Sequence, residues 1–183
     1  RKEVFQRIGF YNEELVRSQD IDLHMRLKRT GGRILLVPDI KIHYFTRSSL
    51  KGFVKYGFIN GYWVSRPYCF GAFMAGIRHM VPMVFFLSLL LPTLVGAFYP
   101  PALFLPAVTL ALYFILAFTV SARTAFEKKS IFYFLLMPAV FFCFHLTYGI
   151  GCTGGMVQAF FSTRFWRRLF KWDLVLEPKA LGA

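Results

Sequence analysis

Asp20 and Asp22 open a helix-like stretch, Gln19-Asp20-Ile21-Asp22, and carboxylates at such a place can do one of two things. Beside a cleft, a carboxylate can take the proton of an attacking hydroxyl. In a first helical turn it can also do no more than compensate the positive end of the helix dipole, which on residue type alone is the commoner role. Arg47, Lys51 and Lys55 form a second candidate, a basic stripe four residues apart that can hold phosphate groups or reach lipid headgroups. His145 stands in an apolar run, where a polar ring must face protein or a polar cavity. With Tyr148 it either lines a path through the membrane or makes an interhelical hydrogen bond. His24, His43, His79 and His145 lack any mutual metal-ligand spacing. Cys69, Cys143 and Cys152 are far apart and form neither a disulfide framework nor a CxxC site, so they read as buried thiols.

The elements that must position these residues fall into two kinds. Residues 1–46 read as soluble α/β structure. Lys2 to Ile8 predicts a short helix, Gly9 to Asn12 a turn, and Gln19 to Arg29 a second helix. That second helix has Ser18 as N-cap, acids in its first turn, Arg26, Lys28 and Arg29 in its last, and Gly31-Gly32 as its stop. Ile34 to Val37 and Ile40 to Phe45, either side of Pro38-Asp39, are β-branched and aromatic and predict neighbouring strands or a strand and its extension. Residues 47–78 carry Leu50, Phe53, Val54, Gly57, Phe58, Gly61 and Tyr62 at helical spacing beside the basic stripe. This is a basic amphipathic helix, either lying in the headgroup boundary or packed on the domain before it.

Residues 79–162 are of another kind. The run from His79 to Ala122 holds no charged side chain and is long enough for two crossings at about 20 residues each, 79–98 and 102–122, with Tyr99-Pro100-Pro101 as the turn. Arg78 and the Arg123 to Lys129 loop place the outer ends of this hairpin in the cytoplasm by the positive-inside rule. A third span, 131–162, contains Gly149, Gly151, Gly154 and Gly155, which predict a re-entrant break or a pair of short helices. Residues 163–183 form a tail whose aromatic and basic residues, Phe165 to Trp172, suit a lipid surface.

Composition agrees with a membrane protein: 56% of the 183 residues are hydrophobic and 19% aromatic. The net charge of +13 would suit nucleic acid, but no nucleic-acid module interleaves the cations, which cluster beside apolar spans. Anionic headgroups and a diphosphate-bearing substrate are the expected partners, and nucleic acid is not. The first long apolar run begins near residue 80 without a cleavage pattern and reads as a span, not a signal peptide. A start at Arg1, directly in a helix-like stretch, predicts further chain upstream.

The string Val16-Arg17-Ser18-Gln19-Asp20-Ile21-Asp22-Leu23, followed by Arg26-Leu27 and Gly31-Gly32, resembles the acceptor-site segment of family 2 glycosyltransferases. Glu3-Val4-Phe5, Ile8-Gly9-Phe10, Glu13-Glu14-Leu15, Pro38-Asp39, Arg47-Ser48-Ser49-Leu50, Gly61-Tyr62-Trp63, Arg78-His79-Met80-Val81-Pro82 and His145-Leu146-Thr147-Tyr148-Gly149 follow in the family's order, so the resemblance covers residues 1 to about 155. It is nearest to membrane-anchored enzymes of exopolysaccharide assembly, of the succinoglycan type.

The resemblance implies an α/β fragment of a GT-A (Rossmann-like) domain, followed by an interfacial amphipathic helix and an α-helical transmembrane region. It implies a multi-pass protein of the cell inner (plasma) membrane with its catalytic part cytoplasmic. It also implies inverting transfer of a hexosyl group from a nucleotide-sugar donor to a lipid-linked or polysaccharide acceptor. Asp20 would be the general base, with Gln19, Lys51, Lys55 and Trp63 around the acceptor and diphosphate. Mg²⁺ or Mn²⁺ would be held by an Asp-x-Asp motif on the donor side of the domain, a half that residues 1–183 do not include, so these residues alone would bind no metal and turn nothing over. Gln19 departs from the acid usual there, and residues 56–60 lack the Gln and Arg of processive relatives, which argues against long-chain synthesis. The alternative is a non-catalytic membrane scaffold of a polysaccharide-assembly complex.

Overall fold

The computed structural model describes residues 2–13, 15–45, 47–66, 77–163 and 165–166. Glu14, Cys69 and the basic tail with Arg167, Arg168, Lys171 and Trp172 lie outside them. Six α-helices are described: α1 (Lys2–Ile8), α2 (Gln19–Arg29), α3 (Leu50–Ser65), α4 (Ile77–Gly96), α5 (Phe104–Lys128) and α6 (Ile131–Phe160). A short 3₁₀ turn, Pro100–Leu103, joins α4 to α5.

No strand or sheet occurs among the described residues, which corrects the expected α/β, Rossmann-like GT-A fragment. Residues 34–45 show why. Their β-branched and aromatic side chains satisfy strand preference, but preference needs a ladder partner and a face to bury, and no described segment supplies either. Leu35, Leu36, Ile42 and Phe45 are 84%, 85%, 84% and 92% exposed. Only a Val37 to Ile40 turn closes within this stretch, its Ile40 amide donating to the Val37 carbonyl at 3.3 Å.

α1 and α2 pack on each other through a polar knot. Arg26 donates from Nε and Nη2 to one oxygen of Asp22 at 3.0 and 2.8 Å, from Nη2 to the Phe10 carbonyl at 2.7 Å, and from Nη1 to the Ile8 carbonyl. One guanidinium therefore fastens the turn after α1 to the middle of α2, using the planar fork that a lysine lacks. α2 ends as expected: Gly31 adopts φ 75°, and the Gly32 amide donates to the Leu27 carbonyl at 2.9 Å, closing the last turn. Its start differs. Ser18 stands at the N-cap position with φ 63°, and its side chain caps nothing.

α4, α5 and α6 are long and apolar enough to cross a membrane. α4 and α5 form a hairpin, with the Phe85 and Tyr113 rings stacked 4.6 Å apart. Tyr113, Phe114 and Phe142 extend this cluster onto α6. Large apolar residues on the outer faces, such as Leu94, Phe104 and Leu116, remain exposed, as lipid-facing positions do. Pro82, Pro92 and Pro138 sit inside helices, which membrane helices tolerate because neighbouring helices and Ser/Thr side chains satisfy the freed carbonyls.

α6 runs unbroken through the glycines expected to interrupt it. Those glycines are a packing face. A side chain on Gly151 would collide with the Phe58 carbonyl, one on Gly155 with Ser65 and Tyr62, and one on Gly149 with Pro82 of α4. From the other side, a side chain on Gly57 would meet Thr147, and one on Gly61 the Tyr148 carbonyl. Small residues four apart on both helices let the backbones touch, the device that replaces hydrophobic driving force between membrane helices.

Candidate functional site

α3 is placed by local chemistry first. Ser49, extended at φ −113° and ψ 145°, accepts from the Gly52 amide at 3.2 Å and starts the helix. Its glycine face then settles on α6 in ascending register. Phe53 meets Phe144, Gly57 meets Thr147, Gly61 meets Tyr148 and Cys152, Ser65 meets Cys152 and Gly155, and Tyr62 reaches Gln158. The two helices are therefore parallel. α3 shadows α6 from Phe144 to Gln158, whereas a helix lying flat beside a perpendicular span would touch it at one crossing. Ser65 and Cys152 are fully buried at the contact, and the Ser65 hydroxyl donates to the Cys152 carbonyl at 2.9 Å. Because the register is parallel, the lysine-bearing start of α3 points the same way as the start of α6, which follows the cationic Arg123 to Lys129 end of α5.

Asp20 and Asp22, alike in sequence, have different surroundings. Asp22 is 6% exposed and committed to Arg26. Asp20 is exposed in the first turn of α2. The chain just before it is tied to α3, since Arg17 donates to the Asn60 side-chain oxygen at 3.3 Å. Gln19, half-buried, turns its amide back onto the Leu15 carbonyl.

Lys51 and Lys55 border a groove of about 590 Å³ between α3 and α6, lined also by Leu50, Val54, Phe58, Thr147 and Ile150. Asp20 does not line it. Trp63, further along α3, lies edge-on to Tyr62 with ring centroids 5.8 Å apart. Arg47, the third member of the basic stripe, takes no part in the groove. Its guanidinium lies 3.9 Å from the centre of the Tyr56 ring and donates to the Tyr44 hydroxyl at 2.6 Å, which holds the Tyr44 phenol below its ordinary value. His145 resolves into an interhelical bond: its Nδ1 lies 2.8 Å from the Tyr113 hydroxyl on α5. Tyr148 is buried, its ring against Phe144.

No group of three His, Cys, Asp or Glu able to hold a metal ion occurs among the described residues. The carboxylate next to Asp20 is already spent on Arg26.

Sequence reasoning missed three features with a legible signal. Asp22 and Arg26 stand four apart on one helix, the spacing of an ion pair. Gly57, Gly61 and Ser65 on α3 and Gly151 and Gly155 on α6 form the touching faces, each set at four-residue spacing. Ser49 precedes a helix whose third residue needs a cap. The Arg17 to Asn60 bond had no such signal.

Comparison of the chain with protein-family models, with curated proteins and with solved structures returned no match. The resemblance to family 2 glycosyltransferases rests on the quoted residues alone.

Proposed function

We propose that the chain is the acceptor-side, membrane-anchored part of an inverting sugar transferase, passing a hexosyl group from a nucleotide sugar to a lipid-linked or glycan acceptor at the cytoplasmic face of the inner membrane. The observation that carries this reading is the division of labour between the two acids. Asp22 is locked by Arg26, and Asp20 is left open to water two residues away. A base must be able to reach a hydroxyl, and of the two only Asp20 can. Orientation and close approach of the acceptor hydroxyl at that carboxylate supply much of the rate in this reading. Arg17 on Asn60 supports that positioning, because it keeps the Asp20 segment beside the membrane-docked α3.

In this reading Asp20 takes the proton of the acceptor hydroxyl as its oxygen attacks the anomeric carbon, and the nucleoside diphosphate leaves from the opposite face. Lys51 and Lys55 stand at a groove that Asp20 does not share, so the proposal gives them no role toward the diphosphate. The test is nucleotide-sugar turnover by the full-length protein in membranes. Asp20→Asn should lower the rate by about 100-fold or more with expression unchanged, whereas Asp22→Asn should lower protein stability first. Full activity of Asp20→Asn removes Asp20 from the mechanism.

The second reading, a catalytically silent scaffold for polysaccharide assembly, is favoured by the distance in kind between the two sites: an open acid on α2 and an apolar groove on α3 that share no residue. Absence of any transfer by the full-length protein, wild type included, would select it.

A further inference from the structure

The groove between α3 and α6 has a shape and a charge that no step of the proposed reaction uses. Its walls are Val54, Phe58, Ile150 and the aliphatic stems of Lys51 and Lys55. Thr147, the one hydroxyl in it, is turned away from any ligand because it donates to the Cys143 carbonyl at 2.7 Å. The floor is thus apolar. At about 590 Å³ the groove falls within the range of small-molecule sites. One wall is a helix long and apolar enough to cross a membrane.

The rim is cationic and, among the described residues, unneutralised. Residues 47–66 contain no acid, and among the described residues the ion pairs are Arg26 with Asp22 and Arg123 with Glu127, so neither rim lysine is paired. Lys51 and Lys55 stand one turn apart, with Cβ atoms about 5–6 Å from each other, so both ammonium groups can close on one phosphate. Lys51 also lies in the first turn of α3, where the positive end of the helix dipole adds to the attraction.

We propose that this groove binds one anionic phospholipid, its phosphate held between Lys51 and Lys55 and one acyl chain laid along Val54, Phe58 and Ile150. Charge complementarity selects the occupant. A zwitterionic lipid brings its own cation to the rim, and a soluble phosphate leaves the apolar floor uncovered. The site stands independently of the sugar-transferase reading. It makes docking of α3 on α6 responsive to the charge of the surrounding leaflet, since the lipid touches both helices.

The test uses the full chain reconstituted in phosphatidylcholine vesicles with a small share of phosphatidylglycerol carrying a diazirine midway along one acyl chain. After illumination, label should appear on peptides of α3 and on those around Ile150. Unlabelled phosphatidylglycerol should compete about 30-fold better than phosphatidylcholine, about fivefold for each lysine. Lys51→Gln with Lys55→Gln should bring the two competitors within about twofold. Ile150→Trp, which fills the groove and leaves the charges alone, should clear label from these peptides while label on the outer face of α5 persists. Equal competition by phosphatidylcholine, or by soluble glycerol 3-phosphate, would overturn the proposal. So would a preference that survives the double substitution, or labelling that survives Ile150→Trp.

Discussion

α3 and α6 hold each other backbone to backbone, while residues 33–45, of similar apolar content, form neither a helix nor a strand ladder. The first pair succeeds because its apolar surface is interrupted by small residues at regular spacing, so that Gly57 and Gly61 admit α6, and Gly151 and Gly155 admit α3. The second stretch is richer in strand-forming side chains but has no ladder to join, and Leu36 and Phe45 lie in the open. Hydrophobicity alone therefore does not decide what packs in this chain. A complementary face does. Between the two extremes lies the α1–α2 unit, which buries little apolar surface and is held by the four contacts of Arg26.

The sharpest way to break this comparison is to close the glycine face. Gly61→Leu must push the helices apart at a backbone contact and should cost about 3 kcal/mol of docking. In hydrogen exchange, amides of Leu50–Ser65 should lose about 100-fold protection. Gly154, one residue before Gly155, has open space around it, so Gly154→Leu should shift the same amides by no more than about 0.5 kcal/mol. Equal effects of the two substitutions would show that the face is not selective.

Next in size is Arg26→Met, which removes the fork but keeps the stem. It leaves Asp22 buried without its cation, and should cost about 2 kcal/mol. Exchange in Lys2–Ile8 and Gln19–Arg29 should accelerate together, with Leu50–Ser65 unchanged. The smallest expected effect has the opposite sign. Lys129 ends α5 at φ 51°, a conformation that costs an L-residue about 1 kcal/mol, so Lys129→Gly should stabilise the α5–α6 turn by about that much in thermal unfolding.

Much of the membrane part was readable from residue type and length. Uncharged runs around α4 and α5 and the apolar run of α6 can form long helices almost regardless of context, because every backbone group is satisfied within the helix. Gly31-Gly32 likewise ends α2 by a rule local to a few residues. What was not readable depended on a partner. Ile34 to Val37 carries a strand's composition, but whether it becomes a strand is decided by what lies beside it. The glycines of α6 were misread for the same reason: Gly151 inside a helix looks like a break until Phe58 is placed against it. Asp20 and Asp22 were legible as helix-start acids, while the fact that only Asp20 stays open depends on Arg26 turning toward Ile8 and Phe10.

The parallel seating of α3 on α6 underlies both the placement of the Asp20 segment and the lysine-rimmed groove, and thiol crosslinking tests it directly. In a background with the native cysteines replaced, cysteine pairs at Phe53 with Phe144 and at Tyr62 with Gln158 should be joined in membranes by a short bifunctional thiosulfonate, since the first pair of rings lies 5.4 Å apart and the second pair is hydrogen-bonded. The exchanged pairs, Phe53 with Gln158 and Tyr62 with Phe144, should stay unlinked. Crosslinking of the exchanged pairs in place of the first two would contradict the account.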